Sequence, residues 1–470
     1  MILKNLLWDY FGKFSSALMQ IVTSLVLMKL LSRADFGLVG ITLAVNAVAS
    51  TFTSFGFSSF IIQQPKEDNE LQSSILWFNV ALGVTLSTII ILFSSVIANF
   101  YKLPDLRNIV VVCSLFIPLN LILSVPSALL GKRLQFKQIN IRNIVLACTS
   151  AVVGISLALL KFGVWALIVQ QGLNLLLNIV ATYKLANWLP TFSFNRNKFK
   201  AAFNFGKFIF LATLVESIYS RLDVFTIGKL YKIESVGSYT RAQSLSGNMV
   251  QMSSKSLLNV LFPVLTKMKD NKQELIKNYF TFFHHICFAF CILSSLCFVF
   301  VQPAFASFFK PEWGEAALIF KIIILSSVVL PLSELMLSII EARGNSKNYF
   351  IADIWKKVLL YPTYVMLFFF NIEVYLYTTF FGLLGALLIN LHFLNKEIEV
   401  GYLNSCKIFF TYFIPTLALS FAMDKIFPTN GNWIFAIVKF LIVLACLFFT
   451  LKVFPSPTFQ LIINKIKRRK

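Results

Sequence analysis

The residues with the clearest chemical pattern lie between positions 241 and 255. Arg241, Ser244, Asn248, Gln251 and Lys255 follow one another at spacings of 3, 4, 3 and 4 residues. In a helix this spacing places all five on one face, with the two cations about 21 Å apart at 1.5 Å per residue. Arginine and lysine bind phosphate through charge-assisted hydrogen bonds, whereas amides and hydroxyls suit sugars. The pattern therefore predicts a binding site for an anionic, glycan-bearing ligand.

Three more polar residues are candidates for the same site. Lys13 and Gln20 lie in the first apolar segment, at helical spacing with Ser16 and Ser24. Arg221 lies in a later segment. Two other interpretations stay open: Lys13 could extend to the aqueous interface, and Arg221 could form a structural ion pair. Serine and threonine stripes alone are also typical of close helix packing.

Carboxylates in apolar segments are candidates for coupling to H⁺ or Na⁺. Glu216 and Asp223 lie in the segment that contains Arg221, and Glu334 lies in a later one, close to Pro331, which predicts a kink. A buried carboxylate has a raised pKa and can exchange a proton near neutral pH. A structural ion pair is the alternative for Asp223.

The composition predicts an integral membrane protein. Of the 470 residues, 57% are hydrophobic and only 13% are charged, whereas a soluble domain carries about 25% charged residues. The net charge of +22 reflects Lys and Arg in cytoplasmic loops rather than a nucleic-acid partner. A cation at mid-membrane costs about 2.5–3.5 kcal/mol, so the face with Arg241 and Lys255 is predicted to border a water-filled cavity rather than lipid, with contact between packed helices as the alternative.

The elements that position these residues are membrane-spanning helices. A span needs about 20 mostly apolar residues, and fourteen segments meet this length approximately. They are 12–31, 37–62, 75–98, 106–130, 143–160, 163–186, 207–229, 236–262, 281–308, 316–341, 350–370, 374–394, 407–426 and 433–453.

The distribution of cations predicts the orientation of the spans. If the N-terminus is cytoplasmic, 28 Lys and Arg residues fall on the cytoplasmic side and ten on the other. Cytoplasmic loops are enriched in these residues, so both termini are predicted to be cytoplasmic. The segment 188–208 mixes Phe with Lys and Arg and is predicted to lie along the inner membrane surface.

Echoes along the chain indicate a duplication. FGKF occurs at 11–14 and 205–208, Gly37 matches Gly237, and IPLNLILS at 117–124 resembles LPLSELMLS near 330–338, at offsets of 194, 200 and 213. Each repeat holds six helices, so the two halves are parallel. The predicted fold is all-α: one six-helix half over 1–200, a second over 201–400, and two extra helices with a basic cytoplasmic tail over 401–470.

No enzyme signature accompanies this architecture. His284, His285 and His392 form no recognisable catalytic cluster with a nucleophile, and there is no Walker A loop, HExxH motif or zinc spacing. The seven cysteines lie in or at the ends of apolar segments without paired spacing, which is typical of buried thiols. We expect no catalytic residue, metal or cofactor.

Several longer motifs together resemble one family. They are LLSRADFGLVG at 30–40, GFSSFIIQQ at 56–64, SRLDVFTIGKLYKIESVGSYTRAQSL at 220–245 and GNSKNYFIADIWKKV at 344–358. The chain resembles Wzx-type polysaccharide-unit flippases of the multidrug/oligosaccharidyl-lipid/polysaccharide exporter superfamily. The likeness covers most of residues 1–400. Many members have twelve spans, so the two additional helices are a departure.

The resemblance implies a substrate and a mechanism. The substrate is an undecaprenyl-diphosphate-linked oligosaccharide for O-antigen, capsule or exopolysaccharide synthesis, moved from the inner to the outer leaflet of the bacterial cytoplasmic membrane by alternating access. Arg241, and less directly Lys13, match the cationic positions that bind the diphosphate. Membrane lipids, a polysaccharide polymerase and glycosyltransferases are the implied partners.

Three other classes of protein remain as alternatives. A cation-coupled drug or metabolite antiporter of the same superfamily would favour carboxylates over cations in its cavity. A non-enzymatic membrane component of a glycan-assembly complex would not need a polar stripe of full membrane depth. A membrane-embedded transferase would need a cluster of acid, base or nucleophile, and the sequence offers none.

Overall fold

The computed structural model describes residues 2–51, 56–268, 270–426 and 433–453, and within this part the secondary structure is helical, without strands. The described α-helices, in chain order, are α1 Ile2–Leu30, α2 Arg33–Thr51, α3 Phe57–Gln63, α4 Asn69–Tyr101, α5 Leu106–Ser114, α6 Phe116–Ile122, α7 Ser124–Lys132, α8 Phe136–Leu159, α9 Val164–Ala186, α10 Arg196–Tyr219, α11 Leu222–Leu230, α12 Ile233–Lys267, α13 Lys272–Phe308, α14 Gly314–Leu325, α15 Val329–Ala342, α16 Ser346–Leu360, α17 Met366–Phe369, α18 Ile372–Ile398, α19 Tyr402–Ile426 and α20 Trp433–Val453. Short 3₁₀ turns cover Pro311–Trp313, Ser326–Val328 and Tyr361–Val365.

The helices have the length and composition of membrane spans. Within the described residues, ten helical segments are long and apolar enough to cross a bilayer, and the apolar part of α1, Phe14–Leu30, is shorter. The predicted all-α, multi-pass membrane fold is confirmed. Each of the fourteen predicted segments overlaps helical structure within the described residues, but length and composition identify ten spans there, so the count of fourteen stays a prediction.

Several predicted segments are broken rather than continuous, and proline explains two of the breaks. A proline ring clashes with the carbonyl group four residues earlier and ends the helix there. Within the predicted span 106–130, α5 ends at Ser114, four residues before Pro118, and α6 ends at Ile122, four residues before Pro126. The predicted kink near Pro331 is present as the 3₁₀ turn between α14 and α15.

Two other predicted spans were wrong as single helices. The segment 37–62 comprises α2, which is described as far as Thr51, and α3, which follows Gly56 in the left-handed region at φ 65°. Glycine adopts this conformation without the strain that a Cβ atom would impose. The segment 207–229 divides between α10 and α11, with Ser220 and Arg221 at the junction.

Contacts divide the chain into two compact units, residues 1–240 and 241–470, and the division falls within α12. In the first unit, α8 packs against α1 and α9, while α4 packs against α5 and α6. A buried core forms around α3, the start of α4 and α7, with Phe57, Ile75 and Leu129 at its centre. The predicted halves 1–200 and 201–400 are defined by the sequence repeat, so they stay a prediction.

In the second unit, the long helix α13 is the central element. It packs against α14, α19 and α20, while α18 packs against α14, α15 and α16. The Tyr279 hydroxyl donates to Ser405 Oγ over 3.0 Å, and His284 Nδ1 lies 3.1 Å from the Tyr412 hydroxyl. The two helices beyond position 400 are therefore integral parts of this unit, held by buried contacts with α13.

The segment that precedes α10 is fixed to the start of α4. Trp188 Nε1 donates to Asn69 Oδ1 over 2.6 Å, and Trp77 stacks on Phe192 at 5.0 Å between ring centroids. Lys198 forms ion pairs with Asp68 and Glu70, each at 2.7 Å. The aromatic and basic residues that predict an interfacial segment thus also bind it to the first unit.

Candidate functional site

The polar stripe predicted between 241 and 255 lies in one uninterrupted helix. Helix α12 runs from Ile233 to Lys267, so the five positions share a face, as their spacing predicts. Arg241, Ser244 and Asn248 are partly buried. The side chains of Gln251 and Lys255 lie outside the described residues, so their place in the site stays a prediction.

The other predicted site residues are distributed over four elements. Gln20 is exposed on α1, and the side chain of Lys13 on the same helix lies outside the described residues. Arg221 is partly buried at the junction of α10 and α11, and Glu216 is exposed near the end of α10. Glu334 is partly buried in α15. Their roles in binding and ion coupling stay predictions.

Asp223 is held by two hydrogen bonds in the first unit. Its side chain is 5% exposed. One carboxylate oxygen accepts from the Tyr239 hydroxyl over 2.6 Å, and the other accepts from the Val224 amide over 2.7 Å. Short bonds of this kind to a carboxylate are strong. The pair connects the first turn of α11 with the second turn of α12.

The starts of α2 and α12 approach each other closely and symmetrically. A Cβ atom on Gly37 would clash with the carbonyl oxygen of Ile233, and a Cβ atom on Gly237 would clash with that of Arg33. Positions 33 and 37 correspond to positions 233 and 237 at the repeat offset of 200 residues. Each glycine therefore contacts the position that is equivalent, in the other helix, to the one its counterpart contacts. A two-fold axis produces this reciprocity, in which residue i contacts j and j contacts i.

A third contact at this junction lies on the same axis. A Cβ atom on Gly40 would approach the Thr240 side chain, with 3.3 Å to its Cβ atom, and these residues are again 200 apart. The Arg33 guanidinium donates to Ser238 Oγ over 3.3 Å. The two helices meet near their N-terminal ends, an arrangement that the predicted parallel duplication would also produce. The echo of Gly37 in Gly237 was the sequence signal.

A polar network between α8 and α9 was missed by the sequence reasoning, which counted Arg142 among loop cations. The Arg142 guanidinium donates to Thr182 Oγ1 over 2.7 Å and to Asn143 Oδ1 over 2.9 Å. Asn174 donates to Ser150 Oγ over 3.1 Å. The spacing of four residues from Asn174 to Asn178 and from Asn178 to Thr182 could have indicated a polar face on α9.

The loop before α4 contains an ion pair outside the membrane-spanning segments. Arg133 binds Glu67 at 2.6 Å and also donates to the carbonyl of Ala186 over 2.5 Å. The hydrogen bond from Arg133, aided by its charge and that of Lys132, lowers the pKa of Glu67 against a smaller effect of burial. The ion pair thus joins the end of α7 to the loop before α4, and the hydrogen bond to Ala186 joins it to the end of α9.

The fold and the symmetric junction define a class of protein: a multi-pass helical membrane protein. A solved structure of the lipid II flippase MurJ in an inward closed conformation matches over 95% of this chain and 98% of that one, with a TM-score of 0.73 and 14% sequence identity. At this identity the likeness shows the fold alone.

The family follows from the sequence. Residues 26–369 match the family described as "Polysaccharide biosynthesis protein", and the chain belongs to that family, which confirms the resemblance carried by the loop motifs. The succinoglycan biosynthesis transport protein ExoT of Rhizobium meliloti (strain 1021) is 24% identical over 58% of this chain and 55% of its own length. The lipopolysaccharide biosynthesis protein WzxC of Escherichia coli (strain K12) is 23% identical over 55% of this chain and 53% of its own. These alignments span about half the length of each relative.

Proposed function

We propose that this protein is a flippase that moves undecaprenyl-diphosphate-linked oligosaccharide units from the inner to the outer leaflet, for O-antigen, capsule or exopolysaccharide synthesis. The observation that carries the proposal is the polysaccharide-biosynthesis family match over residues 26–369. The names of ExoT and WzxC, a succinoglycan transport protein and a lipopolysaccharide biosynthesis protein, support export of a glycan. The MurJ-like fold supports a lipid-linked substrate.

The stripe on α12 provides groups for the two polar parts of such a substrate. Arg241 and Lys255, at opposite ends of the stripe, each bind the diphosphate in turn, because a guanidinium and an ammonium group make charge-assisted hydrogen bonds to phosphate oxygens. Asn248, Gln251 and Ser244 face the glycan hydroxyls, and the prenyl chain remains in lipid. Lys13, Gln20 and Arg221 are further candidates for binding the substrate.

The junction of α2 and α12 gives the mechanism a moving part. In the orientation set by the cation distribution, both helices begin at the outer surface. Close backbone contact at Gly37 and Gly237 joins the two helix ends, and alternating access would require these ends to part. Coupling to H⁺ or Na⁺ would occur at Glu216, Asp223 or Glu334, where a change of charge alters the balance between the two states.

The protein acts in the bacterial cytoplasmic membrane with both termini in the cytoplasm. It is a transporter rather than an enzyme, and membrane lipids surround it. Glycosyltransferases act on the lipid-linked intermediate before it is translocated, and a polysaccharide polymerase acts on it afterwards. The sequence repeat sets its halves at 1–200 and 201–400, with the C-terminal helices over 401–470.

The direct test is translocation of a fluorescent undecaprenyl-diphosphate oligosaccharide in proteoliposomes. Loss of one charge-assisted hydrogen bond costs about 1.5–3 kcal/mol, which is about ten- to a hundredfold in affinity. Arg241→Ala and Lys255→Ala are expected to slow translocation by that factor at sub-saturating substrate, and Arg241→Lys by less.

The matched control for charge removal is Arg107→Ala, since Arg107 is exposed at the start of α5; its translocation rate should equal that of the parent. Normal translocation by both α12 variants, at equal protein levels, would reject the cationic site. Movement of a cationic dye but not of the glycan by the parent protein would favour the antiporter class instead.

A further inference from the structure

A cleft in the second unit lies where α13 ends and α14 begins. It has a volume of about 260 Å³, and its wall includes Gln302, Phe305, Lys310, Gly314, Leu318 and Lys321. Lys310 and Gln302 are exposed, and Lys321 is partly buried. The cleft thus combines two ammonium groups and an amide with an apolar wall, and it shares no residue with the stripe on α12.

Behind the cleft, two lysines share one carboxylate. Lys321 forms an ion pair with Asp424, and Lys439 Nζ lies 3.2 Å from the other oxygen of the same carboxylate. Lys439 is among the most deeply buried large side chains, at 1% exposure. Lys321 also donates to Gln302 Oε1 over 3.2 Å and lies 4.5 Å above the ring of Phe298. The three side chains come from α14, α19 and α20, so the cluster also fixes the C-terminal helices to the unit.

The cluster carries an excess positive charge. Two ammonium groups and one carboxylate leave a net charge of +1, and Lys310 at the rim raises the positive charge facing the cleft. An uncompensated charge in a low-dielectric region is costly. The cleft opens beside Lys321, so an anion that enters it would restore neutrality and would take the ammonium hydrogens that Asp424 and Gln302 leave unused.

We propose that this cleft binds a phosphate group, with Lys321 and Lys310 as its ligands and Gln302 as an additional donor. Phosphate accepts several hydrogen bonds from lysine ammonium groups. The source is a phospholipid headgroup or phosphate from solution. The apolar wall of Phe305 and Leu318 suits a headgroup whose acyl chains continue along the lipid-facing surface of α14, where Leu318 is exposed.

The test is native mass spectrometry of the full-length protein, released from detergent in the presence of phosphatidylglycerol, phosphatidylethanolamine or inorganic phosphate. The parent is expected to retain the anionic phosphatidylglycerol about tenfold better than Lys321→Gln or Lys310→Gln. Lys439 does not line the cleft, but Lys439→Gln removes the excess positive charge behind it. This variant should therefore also retain less phosphatidylglycerol than the parent.

The matched control is Lys425→Gln, which removes the same charge from an exposed residue next to Asp424 that does not line the cleft; it should retain lipid as the parent does. Phosphatidylglycerol bound in preference to both other ligands, and lost in the cleft variants, identifies a lipid site. If the cleft variants also lose inorganic phosphate, and the parent shows no preference for either lipid, the ligand is phosphate from solution. Equal retention of every ligand by parent, cleft variants and control would overturn the proposal.

Discussion

The contact between α2 and α12 can be tested with one methyl group. In Gly237→Ala the added Cβ atom would lie 2.8 Å from the carbonyl carbon of Arg33 and 3.1 Å from the amide nitrogen of Gly37, whereas unstrained contacts are about 3.5–4.0 Å. These are backbone atoms that cannot rotate away, so the helices must separate by about 1 Å or more.

The magnitude follows from the clash alone, because α12 is helical in both states and the helix propensity of alanine cancels between them. Overpacking of this kind costs about 1–3 kcal/mol. That cost lowers the equilibrium constant for the closed contact about five- to a hundredfold. Disulfide formation between Gly40→Cys and Thr240→Cys, in a background without other cysteines, reports that population as a crosslinking rate in membranes.

The matched control is Gly247→Ala on the same helix, because a Cβ atom at Gly247 meets no atom within 4 Å. It carries the same gain in helix propensity without the clash, so the crosslinking rate should stay that of the parent pair. If Gly237→Ala crosslinked as fast as this control, the helices would not be in backbone contact there, and the symmetric junction would be refuted.

Three further predictions concern the supporting contacts. Arg133 lowers the pKa of Glu67, so the stabilisation by this ion pair is fully present above the ordinary pKa of 4.5. It is lost as the pH falls through the lowered pKa of Glu67 in the folded protein. Acidification should therefore reduce the melting temperature of the parent more than that of Arg133→Gln. Asp223→Asn and Tyr239→Phe should each destabilise the protein by about 1–3 kcal/mol, and the double variant by less than the sum, as measured in a double-mutant cycle by thermal unfolding; additive effects would show that the two side chains do not interact. Arg142→Ala should lower the melting temperature as well, by removing two hydrogen-bonded contacts, and an unchanged melting temperature would contradict the network between α8 and α9.

The sequence predicted the positions of most helices well. A helix that crosses a membrane needs about 20 consecutive apolar residues, and such a run is easy to recognise in the sequence. Helix α20 has the bounds of the predicted span 433–453, and α9 differs from the predicted 163–186 by one residue. The breaks within the predicted span 106–130 could have been placed from Pro118 and Pro126. The break between α10 and α11 has no such signal, since neither proline nor glycine lies at Ser220 or Arg221.

The site was predictable only where its signal is local or repeated. Helical spacing predicts that Arg241 and Asn248 share one face, and the sequence repeat pairs Gly37 with Gly237, which are in close contact in the structure. The cluster of Lys321, Asp424 and Lys439 joins positions up to 118 residues apart. No local sequence pattern predicts a contact between residues so far apart in the chain. Arg142 was missed for a related reason: its partner Thr182 lies on the next helix.

The central claim is that the protein flips a lipid-linked glycan and must open the α2–α12 junction to do so. The measurement that tests it most directly is translocation of the fluorescent lipid-linked oligosaccharide by the Gly40→Cys/Thr240→Cys protein in proteoliposomes, before oxidation, after oxidation and after reduction. The account predicts translocation that stops when the disulfide forms and recovers when it is reduced, with each single-cysteine variant unaffected by oxidation. Translocation that continues at the parent rate in the fully crosslinked protein, or that never exceeds the rate of protein-free vesicles, would contradict it.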